Sequence, residues 1–274
     1  MADGQRVALV TGASAGIGKA CADRLAAAGW AVTGASRRGT GGSGAPAAWT
    51  GLVMDVDQDA AVQDGVSSVL ARYGRIDALV AAAGWGIAGA AECTSIAGAK
   101  AQFETNFWGC VRVVQAALPQ MRAQRSGRII LISSIGGVIG IPFQAFYSAS
   151  KFALEGFAEA FAYEVAPFGV HVTLVQPGNI RTDFTASRQM AAASAGDPVY
   201  SAALAKAVGV MERDEINGAP ANSVADVVYR VLQARWPSRR VSVGKADERA
   251  GLLAKRVLPF RVFEAAAKGS LGVG

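Results

Sequence analysis

A tyrosine and a lysine four residues apart are the residues of this chain whose types and spacing point most directly to chemistry. In Tyr147-Ser-Ala-Ser-Lys151 this spacing puts both side chains on one face of a helix. A phenol titrates at about pH 10, and a neighbouring cation favours the phenolate and lowers its pKa. The pair therefore predicts a general acid/base in which Tyr147 exchanges the proton. An ordinary surface turn of helix can carry the same pair, so further motifs must support this interpretation.

A glycine-rich stretch near the start of the chain predicts a dinucleotide-binding loop. Thr11-Gly12-Ala-Ser-Ala-Gly16-Ile-Gly18 follows an apolar run and opens a helical pattern. Glycines there let the backbone approach a pyrophosphate, and the helix N-terminus supplies unpaired N–H groups. The residues that we expect to contact the cofactor are Gly12, Ser14, Gly16, Ile17 and Gly18.

Two arginines stand where the preference between NAD and NADP is usually set. The second apolar run ends in Ser36-Arg37-Arg38, about twenty residues after the glycine motif, where an acidic residue would accept hydrogen bonds from the ribose of NAD. Arginines offer forked donors to a 2′-phosphate, and Ser36 can add a hydroxyl. The sequence therefore predicts NADP, although two exposed arginines without a ligand would look the same.

Short apolar runs alternate with longer helical patterns as far as about residue 245. Strands are predicted at 6–11, 30–36, 52–54, 76–82, 128–133 and 170–175. Helices are predicted at 16–28, 103–124 and 146–167, and a further helix follows the third strand and ends at about residue 73. Continuous Val/Ile/Leu strands indicate a sheet that is covered on both faces. The predicted fold is a single-domain α/β protein, with a Rossmann-type doubly wound parallel sheet and helices on both faces.

Composition bounds the function further. The formal charge of +6 lies in residues 235–274, which contain nine Lys/Arg against three Asp/Glu. We find neither base-stacking aromatics nor a known nucleic-acid-binding module among these charges, so the sequence does not predict nucleic-acid binding. One histidine, His171, and no Cys-x-x-Cys pattern predict no metal site. Three scattered cysteines favour reduced thiols in a cytoplasmic protein. We find neither a signal peptide nor an apolar run long enough to span a membrane.

The ordered motifs resemble those of the short-chain dehydrogenases/reductases, in the single-domain branch, from Arg6 to about Val243. Asp55-Val56 resembles the family's adenine-contacting pair, and Ala83-Gly84 is similar to the end of its Asn-Asn-Ala-Gly. Pro177-Gly178-Asn-Ile180-Arg-Thr182 resembles the loop that holds the nicotinamide. Ala81 and Ala82 depart from the pattern, because the family usually has two asparagines there.

The resemblance implies roles for a catalytic set of Asn106, Ser134, Tyr147 and Lys151. Tyr147 would donate a proton to a carbonyl oxygen, and Lys151 would lower the Tyr147 pKa and hold the nicotinamide ribose. Ser134 would hydrogen-bond the substrate oxygen; we prefer it to Ser133, which the pleat sends to the opposite face. Asn106 would hold a water in the proton path.

The predicted function is an NADP(H)-dependent oxidoreductase that interconverts a lipophilic ketone or aldehyde and its alcohol, similar to hydroxysteroid and retinol dehydrogenases. Apolar residues between Ser134 and Tyr147 suggest the lipophilic substrate. One alternative is a 3-ketoacyl-thioester reductase of the same family, and another is a non-catalytic NADP-binding regulatory scaffold. The family also implies a homodimer or homotetramer, formed through the helices near Phe107 and Phe157.

The expected organisation is a catalytic domain at 1–246, with a substrate lid at 183–218, and a basic amphipathic extension at 247–274. In the extension, Leu253, Val257 and Phe260 recur at helical spacing among Arg and Lys residues, and Pro259 is placed to start a second short helix. Two interpretations remain open: a helix docked on the body with a solvated basic face, or contact with an anionic membrane surface.

Overall fold

The fold is described by a computed structural model over residues 4–42, 48–270 and 272. The first three residues of the predicted 1–246 domain, its residues 43–47, and residues 271, 273 and 274 of the predicted extension lie outside the described residues.

A parallel sheet forms the centre of the described part of the chain. Its order is β7-β6-β5-β4-β1-β2-β3, so the strand order reverses between β1 and β4, which is where ligands bind in sheets of this kind. The seven strands are β1 (Val7–Thr11), β2 (Ala31–Ser36), β3 (Thr50–Val53), β4 (Ala78–Ala81), β5 (Gly127–Ile132), β6 (Val170–Pro177) and β7 (Arg240–Val243).

Helices follow the strands and pack on both faces of the sheet. Their bounds are α1 (Gly16–Ala27), α2 (Asp59–Tyr73), α3 (Ile96–Phe103), α4 (Cys110–Ala123), α5 (Ala145–Val165), α6 (Phe184–Ser187), α7 (Ala192–Ala195), α8 (Ser201–Ile216), α9 (Ala221–Gln233), α10 (Ala246–Val257) and α11 (Phe260–Ser270). The predicted doubly wound parallel fold is therefore confirmed.

Two hydrophobic clusters, one on each face, hold these layers together. Consecutive strand residues point to opposite faces, so Leu9 joins one cluster and Val10 the other. The Leu9 side also contains Leu154 of α5, whereas the Val10 side contains Leu25 of α1 and residues of α9. Burial on both faces explains why the strands have no alternating polar positions.

Several element boundaries differ from the predicted ones. The helix expected at 103–124 begins at Ile96 and is interrupted by a π-helical turn at Glu104–Gly109. The predicted lid, 183–218, contains α6, α7 and α8, and its Gln189–Met190 pairs in parallel with Ile87–Ala88. This segment is thus tied to the loop after β4 and lies above the carboxyl ends of the strands.

At the predicted oligomer face, the rings of Phe107 and Phe157 lie 6.1 Å apart, edge to face, and both side chains are half-buried. Oligomer formation stays a prediction. In the tail, α10 and α11 contain no buried residue. No helix in the described ranges is both long enough and apolar enough to cross a bilayer.

Candidate active site

A cavity of about 890 Å³ opens at the carboxyl ends of the strands, beside the point where the strand order reverses. It is lined by Ser134, Tyr147 and Lys151 at one end. Every residue that the sequence predicted as a cofactor contact also lines it: Gly12, Ser14, Gly16, Ile17, Gly18, Ser36, Arg37, Arg38, Asp55, Val56, Ala83, Gly84, Pro177, Gly178, Ile180 and Thr182.

Tyr147 lies in the first turn of α5, with its ring almost wholly buried against the cavity. Burial raises the pKa of the phenol, and the neighbouring Ser134 side chain opposes that rise. Ser134 is the second residue after β5; its hydroxyl donates to the Pro177 carbonyl at 3.4 Å and accepts the N–H of Gly136 at 2.9 Å. Ser133, by contrast, has no hydrogen-bond partner for its hydroxyl among the described residues. The structure thus brings Ser134, rather than Ser133, to the phenol.

Lys151 is buried one turn further along α5, and its Nζ donates to the carbonyl of Ile132 at 2.9 Å. Burial lowers its pKa to about 8. Its Nζ lies 5.9 Å from the centre of the Tyr147 ring. Burial is the largest influence on the Tyr147 pKa and raises it, so the lowering of that pKa by Lys151 stays a prediction. A phenol with a raised pKa stays protonated at neutral pH, which suits a proton donor.

Asn106 is the one member of the predicted catalytic set that does not line the cavity. It lies in the π-helical turn, almost fully buried. Its Oδ1 accepts the N–H of Trp85 at 3.0 Å, and its Nδ2 donates to the Trp85 carbonyl at 3.0 Å and to Ser150 Oγ at 3.2 Å. These bonds occupy both amide hydrogens. Asn106 therefore braces the loop after β4 against α5, and its role in holding a water stays a prediction.

The glycine loop has the conformation that a phosphate-binding turn needs. Gly12 and Gly16 have positive φ values of 67° and 54°, which favour glycine. A Cβ at Gly12 would lie 2.8 Å from the backbone nitrogen of Ala83. Helix α1 begins without a side-chain cap at Ala15, so its first N–H groups are free to meet an anion.

The loop that lacks the asparagine pair is held by other hydrogen bonds. Ala81 is buried at the end of β4, within the apolar core. The Thr11 hydroxyl accepts the N–H groups of Ala82 and Ala83 at 3.1 and 3.3 Å. Together with the bonds from Asn106 to Trp85, this fixes the loop backbone without the two amide side chains.

At the end of β2, Arg37 and Arg38 are exposed at the cavity rim. Arg38 donates to the hydroxyl of Ser14 in the glycine loop at 2.9 Å. The Ser36 hydroxyl already accepts the N–H of Gly39 at 3.1 Å. Arg38 thus lies beside the glycine loop, and Arg37 lines the same rim of the cavity.

The predicted adenine-contacting pair follows β3. The Asp55 carboxylate accepts the N–H of Asp57 at 3.1 Å, which turns the chain, and Val56 is buried. A Cβ at Gly109 would lie 2.7 Å from a methyl of Val56. The π-helical turn therefore supports this wall of the cavity.

The loop after β6 is held by residues distant in sequence. Glu248 of α10 accepts the N–H of Asn179 at 3.0 Å. A Cβ at Gly16 would lie 3.4 Å from Thr182, so Thr182 rests on the glycine loop. The Thr182 oxygen accepts the N–H of Phe184 at 3.2 Å, which positions the start of α6.

Sequence reasoning missed three residues at the roof of the cavity. Phe184 packs edge to face on Tyr147, with ring centres 5.8 Å apart. Glu215 lines the cavity, accepts from Thr185 Oγ1 at 2.5 Å and pairs with the buried Arg188. Glu215 raises the Tyr147 pKa, and Arg188 lowers it. No motif marked these residues, because the Ala-rich segment that carries them has no fixed spacing to the tyrosine.

Among the described residues, no group of three or more His, Cys, Asp or Glu side chains is arranged to hold a metal ion. The arrangement instead combines a phosphate-binding turn with a buried acid, and comparison with known proteins agrees. A family model described as short chain dehydrogenase matches residues 6–193. The chain belongs to the short-chain dehydrogenases.

This short-chain dehydrogenase is similar to curated reductases and dehydrogenases and to solved structures. It is 40% identical over 239 residues to a 3-ketodihydrosphingosine reductase of Bacteroides thetaiotaomicron, which covers 87% of this chain and 88% of the relative. It is also 37% identical over 195 residues to retinol dehydrogenase 8 of Bos taurus, covering 67% of this chain and 62% of that protein. A solved short-chain dehydrogenase from Streptomyces avermitilis is 32% identical, with a TM-score of 0.82, over 98% of this chain and 99% of the other.

Family membership makes the chain an oxidoreductase that uses a nicotinamide cofactor. The residues present fit such a group. The uncapped start of α1 and the close approach at Gly12 accommodate a pyrophosphate, and Tyr147 and Lys151 line the far end of the same cavity.

Proposed function

We propose that this short-chain dehydrogenase uses NADPH to reduce a lipophilic ketone to its alcohol, with Tyr147 as the proton donor. The observation that carries the proposal is the buried phenol of Tyr147, which shares one cavity with the glycine loop. The 3-ketodihydrosphingosine of the 40%-identical relative is the first substrate to test.

The chemistry needs a hydride and a proton. When bound, the reduced nicotinamide supplies the hydride to the carbonyl carbon. The carbonyl π electrons then move to the oxygen, which takes the phenolic proton of Tyr147. Ser134, whose side chain acts on the phenol, is placed to donate to the same oxygen and to stabilise its developing charge. Lys151, with a pKa of about 8, carries positive charge at neutral pH and stabilises the phenolate that remains.

The cavity walls favour a lipophilic substrate. Ile135, Ile141 and Phe184 line it beside Tyr147. Apolar walls with a few polar groups at the reacting end are typical of sites for apolar ligands. Glu215, at the roof, is paired with Arg188, so the substrate end carries little net charge.

NADPH is proposed over NADH because of the rim at the end of β2. Arg37 and Arg38 lie there, and Arg38 reaches the glycine loop through Ser14. Guanidinium groups bind phosphate in a forked geometry. The 2′-phosphate of NADPH would meet both.

The experiment is a substrate panel with the purified protein. Turnover is followed through nicotinamide absorbance, with NADPH and NADH, on 3-ketodihydrosphingosine, a steroid ketone, retinal and a 3-ketoacyl thioester. We expect reduction of at least one lipophilic carbonyl, faster with NADPH. Turnover of the thioester alone would support the ketoacyl reductase alternative. Cofactor binding without turnover of any substrate would support the regulatory scaffold.

A further inference from the structure

The C-terminal helices expose an apolar face that no described residue covers. Large apolar side chains are concentrated there, with Leu253 63%, Val257 66%, Phe260 75% and Val262 53% exposed. Side chains of this kind usually lie against something. We refer to Leu253, Val257 and Phe260, which recur at spacings of four and three residues, as the tail face; Val262, two residues after Phe260, lies on another side of α11.

Helix α10 has two sides with different partners. Glu248, Gly251 and Lys255, at spacings of three and four, meet the body: Glu248 binds the Asn179 N–H, Gly251 lies beside Ile139, and Lys255 donates to the Val138 carbonyl. Leu253 and Val257, four residues apart, occupy the opposite side of the helix. The tail face therefore stays exposed while the helix is docked.

Basic side chains flank the tail face. Arg249 lies four residues before Leu253, and Arg256 directly precedes Val257. Arg261 directly follows Phe260. All three are exposed, and none forms an ion pair with another described residue. An apolar stripe edged by free cations is complementary to an anionic lipid surface, because the apolar groups enter the interface and the cations meet the headgroups.

The position of α10 relates this face to the cavity. Val138 and Ile139, which α10 contacts, belong to the segment between Ser134 and Tyr147. Asn179, which Glu248 holds, lines the cavity. A surface bound to the tail face would therefore lie next to the rim of the cavity.

We propose that α10 and α11 form a docking surface for an anionic lipid bilayer, with the tail face inserted at the interface. The bilayer is favoured over a second copy of this chain because the flanking charges without an ion-pair partner among the described residues, Arg249, Arg256 and Arg261, have one sign and would repel in a symmetric pairing. This proposal does not depend on the reductase activity, because it concerns binding to lipid alone.

The test is co-sedimentation of the full-length protein with substrate-free vesicles. Phosphatidylcholine vesicles containing phosphatidylglycerol should bind it, and vesicles of phosphatidylcholine alone should bind it about tenfold less, or weaker still. The triple variant Leu253→Gln, Val257→Gln and Phe260→Gln should lose about tenfold or more in partitioning to the anionic vesicles.

A matched control keeps the test specific. The control residues Ile96, Tyr163 and Trp236 are exposed to a similar degree, at 66%, 63% and 76%. Their replacement by Gln should leave partitioning to the anionic vesicles within about twofold of the unmodified protein, because single exposed apolar residues away from a patch do not bind lipid. Equal binding of the tail-face variant and the unmodified protein would overturn the proposal. So would a dimer in size-exclusion chromatography that the tail-face variant converts to a monomer while neither form binds vesicles.

Discussion

The phenol of Tyr147 is surrounded by groups that act on it in opposite directions. Burial and the Glu215 carboxylate raise its pKa, whereas Ser134 and Arg188 lower it. The balance keeps the proton on the phenol at neutral pH, which is the form that a ketone reductase needs. The surroundings also act on Lys151, because burial lowers its pKa to about 8.

Replacing Ser134 by Ala should slow ketone reduction by about 10²–10³-fold, because it removes a donor to the developing oxyanion. Steady-state kcat with a saturating lipophilic ketone measures this. Ser133→Ala is the matched control, since its hydroxyl has no partner among the described residues. Equal losses of kcat in both variants would show that Ser134 does not donate to the reacting oxygen.

Replacing Arg37 and Arg38 together by Ala should weaken NADPH binding by about tenfold or more, because charge-assisted bonds to the 2′-phosphate are lost. NADH binding, measured by the same fluorescence titration, should change little. Arg72→Ala, at an exposed arginine of α2, serves as the control. Unchanged NADPH affinity in the double variant would contradict the choice of NADPH.

Among the residues of the cavity, those in short motifs were predictable from the sequence. Those that distant elements bring to Tyr147 were not. The glycine loop, Arg37, Tyr147 and Lys151 have fixed spacings or follow a strand directly, so their places on one cavity could be derived. Glu215 reaches the same cavity from α8, 68 positions after Tyr147. Only the packing of that helix over the sheet brings the two together.

At the scale of elements, α6 and α8 form the roof of the cavity. Phe184 of α6 packs on Tyr147, and Glu215 of α8 bonds Thr185 of α6. The two helices are therefore coupled through the carboxylate that also raises the phenol's pKa.

Replacing Glu215 by Gln should shift the alkaline limb of the kcat–pH profile for ketone reduction to lower pH. The sign follows from charge: Glu215 raises the Tyr147 pKa, so its removal lets the phenol lose its proton at a lower pH. Glu212→Gln, exposed on the same helix, should leave the profile in place. A shift to higher pH, or none, would show that Glu215 does not act on the proton donor.

Element boundaries were predictable where the apolar pattern was strong. The buried strands β1, β5 and β6 came from continuous Val/Ile/Leu runs, within one or two residues of their observed bounds. Strand β7 is a short edge strand with partly exposed residues, Arg240 and Val241 among them, so it has no such run. The start of α3 at Ile96 was missed because Gly98 and several alanines follow it, and these give no apolar stripe.

For the whole molecule, the site carries a cost in stability. Lys151 is buried, and its pKa falls from about 10.5 to about 8. A shift of this size corresponds to about 3 kcal/mol against the charged form. Functional sites commonly hold such groups at the expense of folding stability.

The Lys151→Met variant should therefore have a larger free energy of unfolding than the unmodified protein at pH 7, although it loses activity. The difference in free energy of unfolding between the two proteins should narrow as the pH rises from about 8 to 10.5. In this range the folded protein releases the Lys151 proton while the unfolded chain keeps it, which stabilises the unmodified protein. Urea unfolding of both proteins across this range measures the difference. A variant that is less stable at pH 7 would contradict this account of Lys151.

The most direct test of the account is the rate of hydride transfer in a single turnover of Tyr147→Phe with NADPH and a lipophilic ketone. Tyr163→Phe, at an exposed tyrosine of α5, is the control. We predict a fall of about 10²–10⁴-fold for Tyr147→Phe, with the dissociation constant for NADPH unchanged. A rate equal to that of the unmodified protein would show that another group protonates the substrate oxygen.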